Sequence, residues 1–301
     1  MTIIFNDSIP ANLNGPPTIM PPCPDPHFDK GIEVCGKGSL RLFGYEGAPV
    51  AGSARHDMTH ASWTFLKHSA GDPNLFSASN GVADPVTAAD AKTLDVGDAV
   101  DWKTGDWIVV ATTSFSPFES EFVQLASDPQ PDGSGGSILT LANSLAYYHF
   151  GGADPGVPSP ANFAATKTTN WGVDERAEVG LISRNIKLTA SINPNKPKEI
   201  HRGGEIIIRE NFAEASIQGV ELEKFGKDQL ASYPIHFHMD GVLDSNQIAL
   251  INAYSIHHSF NKCVTVHETA GTPSRNLVIQ NLVCARAVGH LFYEETGNEE
   301  T

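Results

Sequence analysis

Five histidines fall between positions 236 and 267 of this 301-residue chain: His236, His238, His257, His258 and His267. Imidazole is the one side chain whose ordinary pKa lies near neutrality, and its neutral ring is a common metal ligand. His236 and His238 stand at i and i+2, which places both on one face of a strand. With His267 brought alongside, three imidazoles come within reach of one metal ion or of each other for proton transfer. The competing reading is a polar ladder that only decorates the surface. His257 and His258 are adjacent and cannot share a strand face, so His258 is assigned to the site and His257 to the scaffold. Asp240 and Glu268 flank the histidines and suit the carboxylate pair of glycoside hydrolysis, although Asp240 also fits a turn before Gly241. Arg209 suits a uronate carboxylate, or a salt bridge to Glu210 or Glu268. Tyr293 is a further substrate contact. Glu294 and Glu295 offer oxygens for calcium or a solvated face.

Residues this far apart meet only if the chain repeats. Ile206–Glu210, Pro234–Gly241, Cys263–Gly271 and His290–Gly297 align as strand-like segments, three of them ending on a glycine turn. His238 and His267 are 29 positions apart, His267 and Tyr293 are 26 apart, and Asn252 and Asn281 are 29 apart. Repeats of this size suggest the coils of a parallel β-solenoid, with Asn suiting left-handed corners. Period two then assigns faces. Ile206, Ile208, Ile235, Phe237, Val264, Val266 and Phe292 share the apolar parity and point inward. Arg209, His236, His238, Thr265, His267, Leu291 and Tyr293 point outward, and His290 falls on the inward parity. Coils stack about 4.8 Å apart, so Arg209, His238, His267 and Tyr293 are expected to form one outward ladder, with His236 beside it in an open groove.

Hydrophobic residues make up 40% of the chain, enough for a core. Strand-type runs such as Trp107–Val110 dominate, which predicts an all-β protein: a right-handed parallel β-helix over 176–301, preceded by a β-rich module over 31–170. Residues 1–30, rich in Pro, Asn and Asp, are expected to be an irregular loop segment, and the stretch 151–170 a loop at a soft boundary. Val100–Val110 reads as a hairpin turning at Thr104-Gly105-Asp106. Within it Trp102 and Trp107 serve a hairpin core or stack on sugars. Cys23 with Cys35 and Cys263 with Cys284 form two local pairs, either disulfides or buried thiols.

The net charge of −15 makes nucleic acid an unexpected partner. Residues 1–175 hold 8 basic against 20 acidic side chains, whereas residues 176–230 hold 9 against 8. An anionic polymer would approach only near the balanced middle. No stretch reaches the roughly 20 apolar residues of a membrane span. Neither end carries a signal-type apolar segment or a terminating element, so the chain is expected to be a fragment, truncated at its C-terminus, of an exported protein whose signal or anchor lies elsewhere.

Tyr233-Pro-Ile-His-Phe-His-Met239 and Ser255-Ile-His-His-Ser-Phe-Asn-Lys-Cys-Val-Thr-Val-His267 resemble the cell-migration-inducing hyaluronidases and transmembrane protein 2. The segments Ala61–Thr64, Val100–Asp106, Asp174–Leu181 and Gly289–Glu294 are similar to that family as well. The resemblance runs from about residue 31 to the end. It implies a G-eight domain, named for eight glycines, followed by a parallel β-helix. It also implies binding and depolymerisation of hyaluronan outside cells, secreted or at the cell surface, with calcium involved. This chain departs from the pattern in two places. Most of the G-eight domain is expected to be missing before residue 31, and Glu268 stands where human-type members have a small or polar residue.

The reading that follows is an extracellular enzyme that binds and hydrolyses a hyaluronan-like polysaccharide at a histidine-lined face. His236, His238, Asp240, His258, His267 and Glu268 would act in catalysis, Arg209 and Tyr293 would contact substrate, and His236, His238 and His267 would offer a transition-metal site. A uronate lyase, which needs charge neutralisation and a His or Tyr base, and a non-catalytic glycan-binding ectodomain stand as alternatives.

Overall fold

The computed structural model describes residues 1–5, 30–45, 61–71, 91–151, 176–196, 200–272 and 276–295. Most of the segment 1–30, the stretch 152–170, Cys23, Asp174 and Glu175, and the acidic tail after Glu295 lie outside the described residues. The chain divides into two compact units, residues 1–45 with 184–301, and residues 46–183.

The first unit is a right-handed parallel β-helix, and every ladder between its strands is parallel. Its first face runs β2 (Gly31–Val34), β14 (Glu205–Arg209), β17 (Ile235–Val242), β19 (Val264–Ala270) and β21 (Phe292–Glu294). Its second face joins β3 (Ser39–Phe43), β15 (Glu214–Gln218) and the first half of β18 (Ile248–His257). Its third joins β1 (Thr2–Phe5), β13 (Ile186–Ala190), β16 (Val220–Glu223) and the second half of β18. β20 (Leu277–Ala285) pairs along β18 on both faces.

Two domain expectations change here. Residues 2–5 are a solenoid strand, not loop, and residues 31–43 supply solenoid strands, not part of the β-rich module. The physical reason is edge cover: these strands pair with the otherwise open first edges of β13, β14 and β15.

The inward parity holds. Ile206, Ile208, Ile235, Phe237, Val264 and Val266 are buried together with Ile217, Leu222, Ile251 and Ile256. Each such side chain stabilises by about 1.5–3 kcal/mol. Cys263 and Cys284 form a disulfide with Cα atoms 6.5 Å apart, and Cys35 is disulfide-bonded too. Phe292 keeps the inward register opposite Val264 but is 40% exposed, because no described coil covers it.

Corners are made by columns of left-handed residues. Gly219, Ala253 and Asn281 have φ of 60°, 50° and 54°; Lys224, His258 and Arg286 have 57°, 52° and 51°; Met239 and Glu268 have 56° and 44°. Asn252 is therefore not the partner of Asn281 at the corner, since Gln280 aligns with Asn252 and Asn281 with Ala253. Gly219 is the one member of its column pressed on neighbouring backbone: a Cβ there would lie 2.4 Å from the Gly44 carbonyl carbon.

The second unit contains β4 (Trp63–Phe65), β5 (Ala70–Gly71), β6 (Thr93–Val96), β7 (Trp107–Val110), β8 (Glu121–Gln124), β9 (Gln130–Pro131), β10 (Ser137–Thr140), β11 (Tyr148–His149) and β12 (Glu178–Leu181), all antiparallel. The 100–110 hairpin is not formed: β7 pairs with β8 and β12. The Thr104-Gly105-Asp106 turn is kept by Asp106, whose carboxylate accepts from the Lys103 amide. Trp102 is fully buried in the core and Trp107 is exposed. No helix among the described residues is long and apolar enough to cross a membrane.

Candidate functional site

On the first face the register sets Arg209, His238 and His267 side by side on β14, β17 and β19. Tyr293 does not continue that ladder. It aligns with Thr265, and so with His236, while Glu295 reaches the His267 position, its Oε2 4.0 Å from His267 Nδ1. The 26-residue spacing is two residues short of the true stacking partner, because connections between coils vary in length while the strands stay in register.

The three imidazoles are close. Ring centroids lie 4.8 Å apart for His236 and His238, 5.3 Å for His238 and His267, and 6.2 Å for His236 and His267, the last pair nearly coplanar in orientation at 4°. One ring nitrogen from each lies within 4.8 Å of the others. His236 is not in an open groove. It is 1% exposed, packed edge-on against Tyr233 at 4.8 Å, with Nδ1 3.0 Å from the Ala231 carbonyl. The segment before β17 folds over the face and covers it. Burial, followed by the charge of His238, lowers the His236 pKa to about 3. His238 and His267 are half-buried.

Asp240 sits in an irregularity of β17, where the register against β19 shifts between His238 and Gly241. Such bulges re-aim a side chain. Its Oδ2 accepts from the Thr269 hydroxyl at 3.1 Å. Burial pushes its carboxyl up to about 7 against the lowering effect of that bond. Glu268 is exposed in its left-handed corner. Arg209 is paired with Glu33 at 2.7 Å. The repeat spacing does not reach Glu33, because residues 31–34 stand far along the chain from the strand they pair with.

Two residues add to the site that chemistry-by-type did not select. Tyr233 covers His236, and the Lys262 ammonium lies 3.3 Å from the Tyr293 ring centroid and 5.0 Å from that of Tyr233. Both lie in the quoted motifs, next to the histidines, which was the available signal. His290 is exposed and packs on Tyr293, centroids 5.1 Å apart.

His258 belongs elsewhere. It follows β18 on the third face, in a left-handed corner, with His257. There Glu221 accepts from His257 Nε2 at 2.9 Å and from Lys187 at 2.7 Å. His257 Nδ1 and His258 Nδ1 are 2.8 Å apart, and Arg286 reaches His258 Nε2 at 3.4 Å. Donors and acceptors match along this chain when both rings are neutral. Burial, then the charge of His257, lowers His258 to about 4. Burial alone would raise Glu221, but the His257 hydrogen bond and the charges of His257 and Lys187 outweigh it and hold it low.

Among the described residues, the closely spaced ligand clusters are His236, His238 with His267, and Glu223 with His257 and His258. Imidazole-rich sets suit transition metals. Calcium prefers six to eight oxygens, and no cluster of three carboxylates in such reach occurs among the described residues.

Residues 201–301 match the family model for the CEMIP beta-helix. Human "Cell surface hyaluronidase CEMIP2" is 32% identical over 215 residues, covering 67% of this chain and 14% of that protein. Human "Cell migration-inducing and hyaluronan-binding protein" is 32% identical over 229 residues, covering 71% and 15%. Zebrafish (Danio rerio) "Cell surface hyaluronidase" is 31% identical, covering 71% and 15%. The chain thus spans about 15% of the length of these relatives. Among solved structures, the tailspike gp61 of Pseudomonas phage phi297 overlaps 87% of this chain and 36% of its own at 12% identity and a TM-score of 0.25, too low to bear on function. The imidazole face therefore lies in a segment that matches the CEMIP β-helix family, and the chain resembles the cell-migration-inducing hyaluronidases and transmembrane protein 2.

Proposed function

We propose that this chain binds and depolymerises a hyaluronan-like anionic polysaccharide outside the cell, by glycoside hydrolysis at the first face of the β-helix. The observation that carries the reading is the convergence on one face of three imidazoles, the half-buried Asp240, and the Tyr233–Lys262–Tyr293 stack. It lies in the segment similar to proteins named as hyaluronidases. Aromatic faces carry sugar rings, and a cation between them attracts carboxylates. Asp240 supplies the acid and Glu268 the second carboxylate; Arg209, through its face beside His238, and Tyr293 contact the polymer. The Cys263–Cys284 disulfide fits an oxidising, extracellular setting.

Binding without cleavage is the second reading, favoured by the relative named for hyaluronan binding. A lyase is the third, since Lys262 and Tyr293 together supply a charge and a phenol of the kind elimination uses. The test is incubation of the 301-residue protein with hyaluronan, chondroitin and pectin, with and without EDTA. Hydrolysis gives shorter products with no new ultraviolet absorbance. Shorter products that absorb mean elimination, and retained polymer of unchanged length means binding alone. Unchanged, unbound polymer in every arm rejects the reading.

A further inference from the structure

The geometry points to a three-imidazole site for a divalent transition metal of the zinc class, held by His236, His238 and His267. This inference stands on the ring positions and does not need the depolymerisation reading.

His236 Nδ1 faces the Ala231 carbonyl at 3.0 Å, and a carbonyl oxygen only accepts. Nδ1 therefore carries the proton, and Nε2 presents a lone pair. That Nε2 is buried and has no hydrogen-bond partner among the described residues. A buried acceptor left unmatched is costly, so a ring fixed in this tautomer implies something for the lone pair to bind. The groups near it are the other two imidazoles, each offering a nitrogen within 4.8 Å of the rest.

Donors spaced at most 4.8 Å apart leave a common centre within roughly 2.8 Å of each. Metal–imidazole bonds of about 2.0–2.1 Å are then reached by side-chain shifts under about 1 Å. The supports are of the expected kind as well. A ligating imidazole normally gives its other N–H to a carbonyl or carboxylate: Ala231 serves His236, and Glu295, with Oε2 4.0 Å from Nδ1, stands beside His267. Two ligands come from alternate residues of β17 and the third from the adjacent, in-register position of β19. The strand ladder therefore pre-forms the site. Three protein ligands leave a position for water or a sugar oxygen, where such an ion acts as a Lewis acid.

The third-face cluster makes a useful control. There each ring nitrogen of His257 and His258 already faces a partner, Glu221, the neighbouring ring, or Arg286.

The experiment is titration of the metal-stripped 301-residue protein with Zn2+ by calorimetry and with Co2+ by visible absorption. The expected result is one ion per chain and a tetrahedral-type Co2+ spectrum. Affinity should fall by roughly 100-fold or more in His238→Ala and in His267→Gln, and stay unchanged in His257→Ala. Because His236→Ala opens a buried position, the two half-buried ligands carry the test, with circular dichroism confirming that each variant is folded. No binding by the wild type, or binding retained in folded His238→Ala and His267→Gln, overturns the proposal. Its failure is separable from that of the depolymerisation reading, because the readout contains no polymer.

Discussion

His236 and Asp240 lie four positions apart on one strand, and both are drawn out of water, though by different means. The ring is covered by Tyr233 and the segment carrying Ala231; the carboxyl is turned by the bulge after His238 and bonded to Thr269. If Asp240 is the proton donor to a leaving sugar oxygen, Asp240→Asn should lower depolymerisation by about 10²-fold or more. Because the amide keeps the shape and an oxygen for Thr269, the melting temperature should hold. Reducing-end release assays and a thermal melt check this, and a variant with wild-type turnover removes Asp240 from the chemistry. The His236, His238 and His267 grouping was readable from spacing alone, because parity and a 29-residue coil suffice to bring it together. The burial of His236 was not, because cover comes from a connecting segment with no periodicity. Nor was the place of Tyr293, because a repeat counted along the chain absorbs differences in connection length that register does not.

At the scale of elements, the β-helix turns its corners through left-handed residues, mostly without glycine. Non-glycine residues tolerate this at a cost of about 1–2 kcal/mol each, offset by the ladders on both sides. Gly219 is different, because Gly44 backbone occupies the space a side chain would need. Gly219→Ala should therefore cost about 1–3 kcal/mol through strain and overpacking, measured by denaturant unfolding followed at the β-sheet signal. An unchanged midpoint would mean that the corner relaxes and is not a fixed point of the coil. The solenoid itself was legible because its inward positions are uninterrupted Ile, Val and Phe. Its first coil was not, because Thr2–Phe5 and Gly31–Phe43 are separated from their partners by more than 140 residues and show no repeat. The place of His258 is hidden for a related reason: adjacency tells that His257 and His258 diverge, but not that β18 ends on the third face.

For the whole molecule, the depressed His236 and His258 should make acid destabilising, opposed by Asp240, whose raised carboxyl adds stability as it takes up its proton near 7. His258 is depressed from 6.5 to about 4 in the folded chain, so the unfolded chain binds the extra proton between those values. The sign follows from linkage: the His258 contribution to stability falls as pH drops from about 6.5 toward 4. Glu221, Glu223 and Glu121, all held low, extend the loss below about 4.5 as they are protonated. Melting temperatures of wild type and His258→Asn across this range should converge as pH falls, because the variant lacks the ionisable ring. Parallel curves would place the acid sensitivity elsewhere.

Central to the proposed function is that a polysaccharide is cut at the imidazole face of the β-helix. The most direct measurement is the size distribution of hyaluronan after incubation with the 301-residue protein and with its His238→Ala/His267→Ala double variant. Both side chains are half-buried, so the double variant should stay folded at a cost of about 1 kcal/mol or less. The predicted result is shortened polymer with the wild type and full-length polymer with the folded variant. Equal shortening by both proteins, or intact polymer with both, would contradict it.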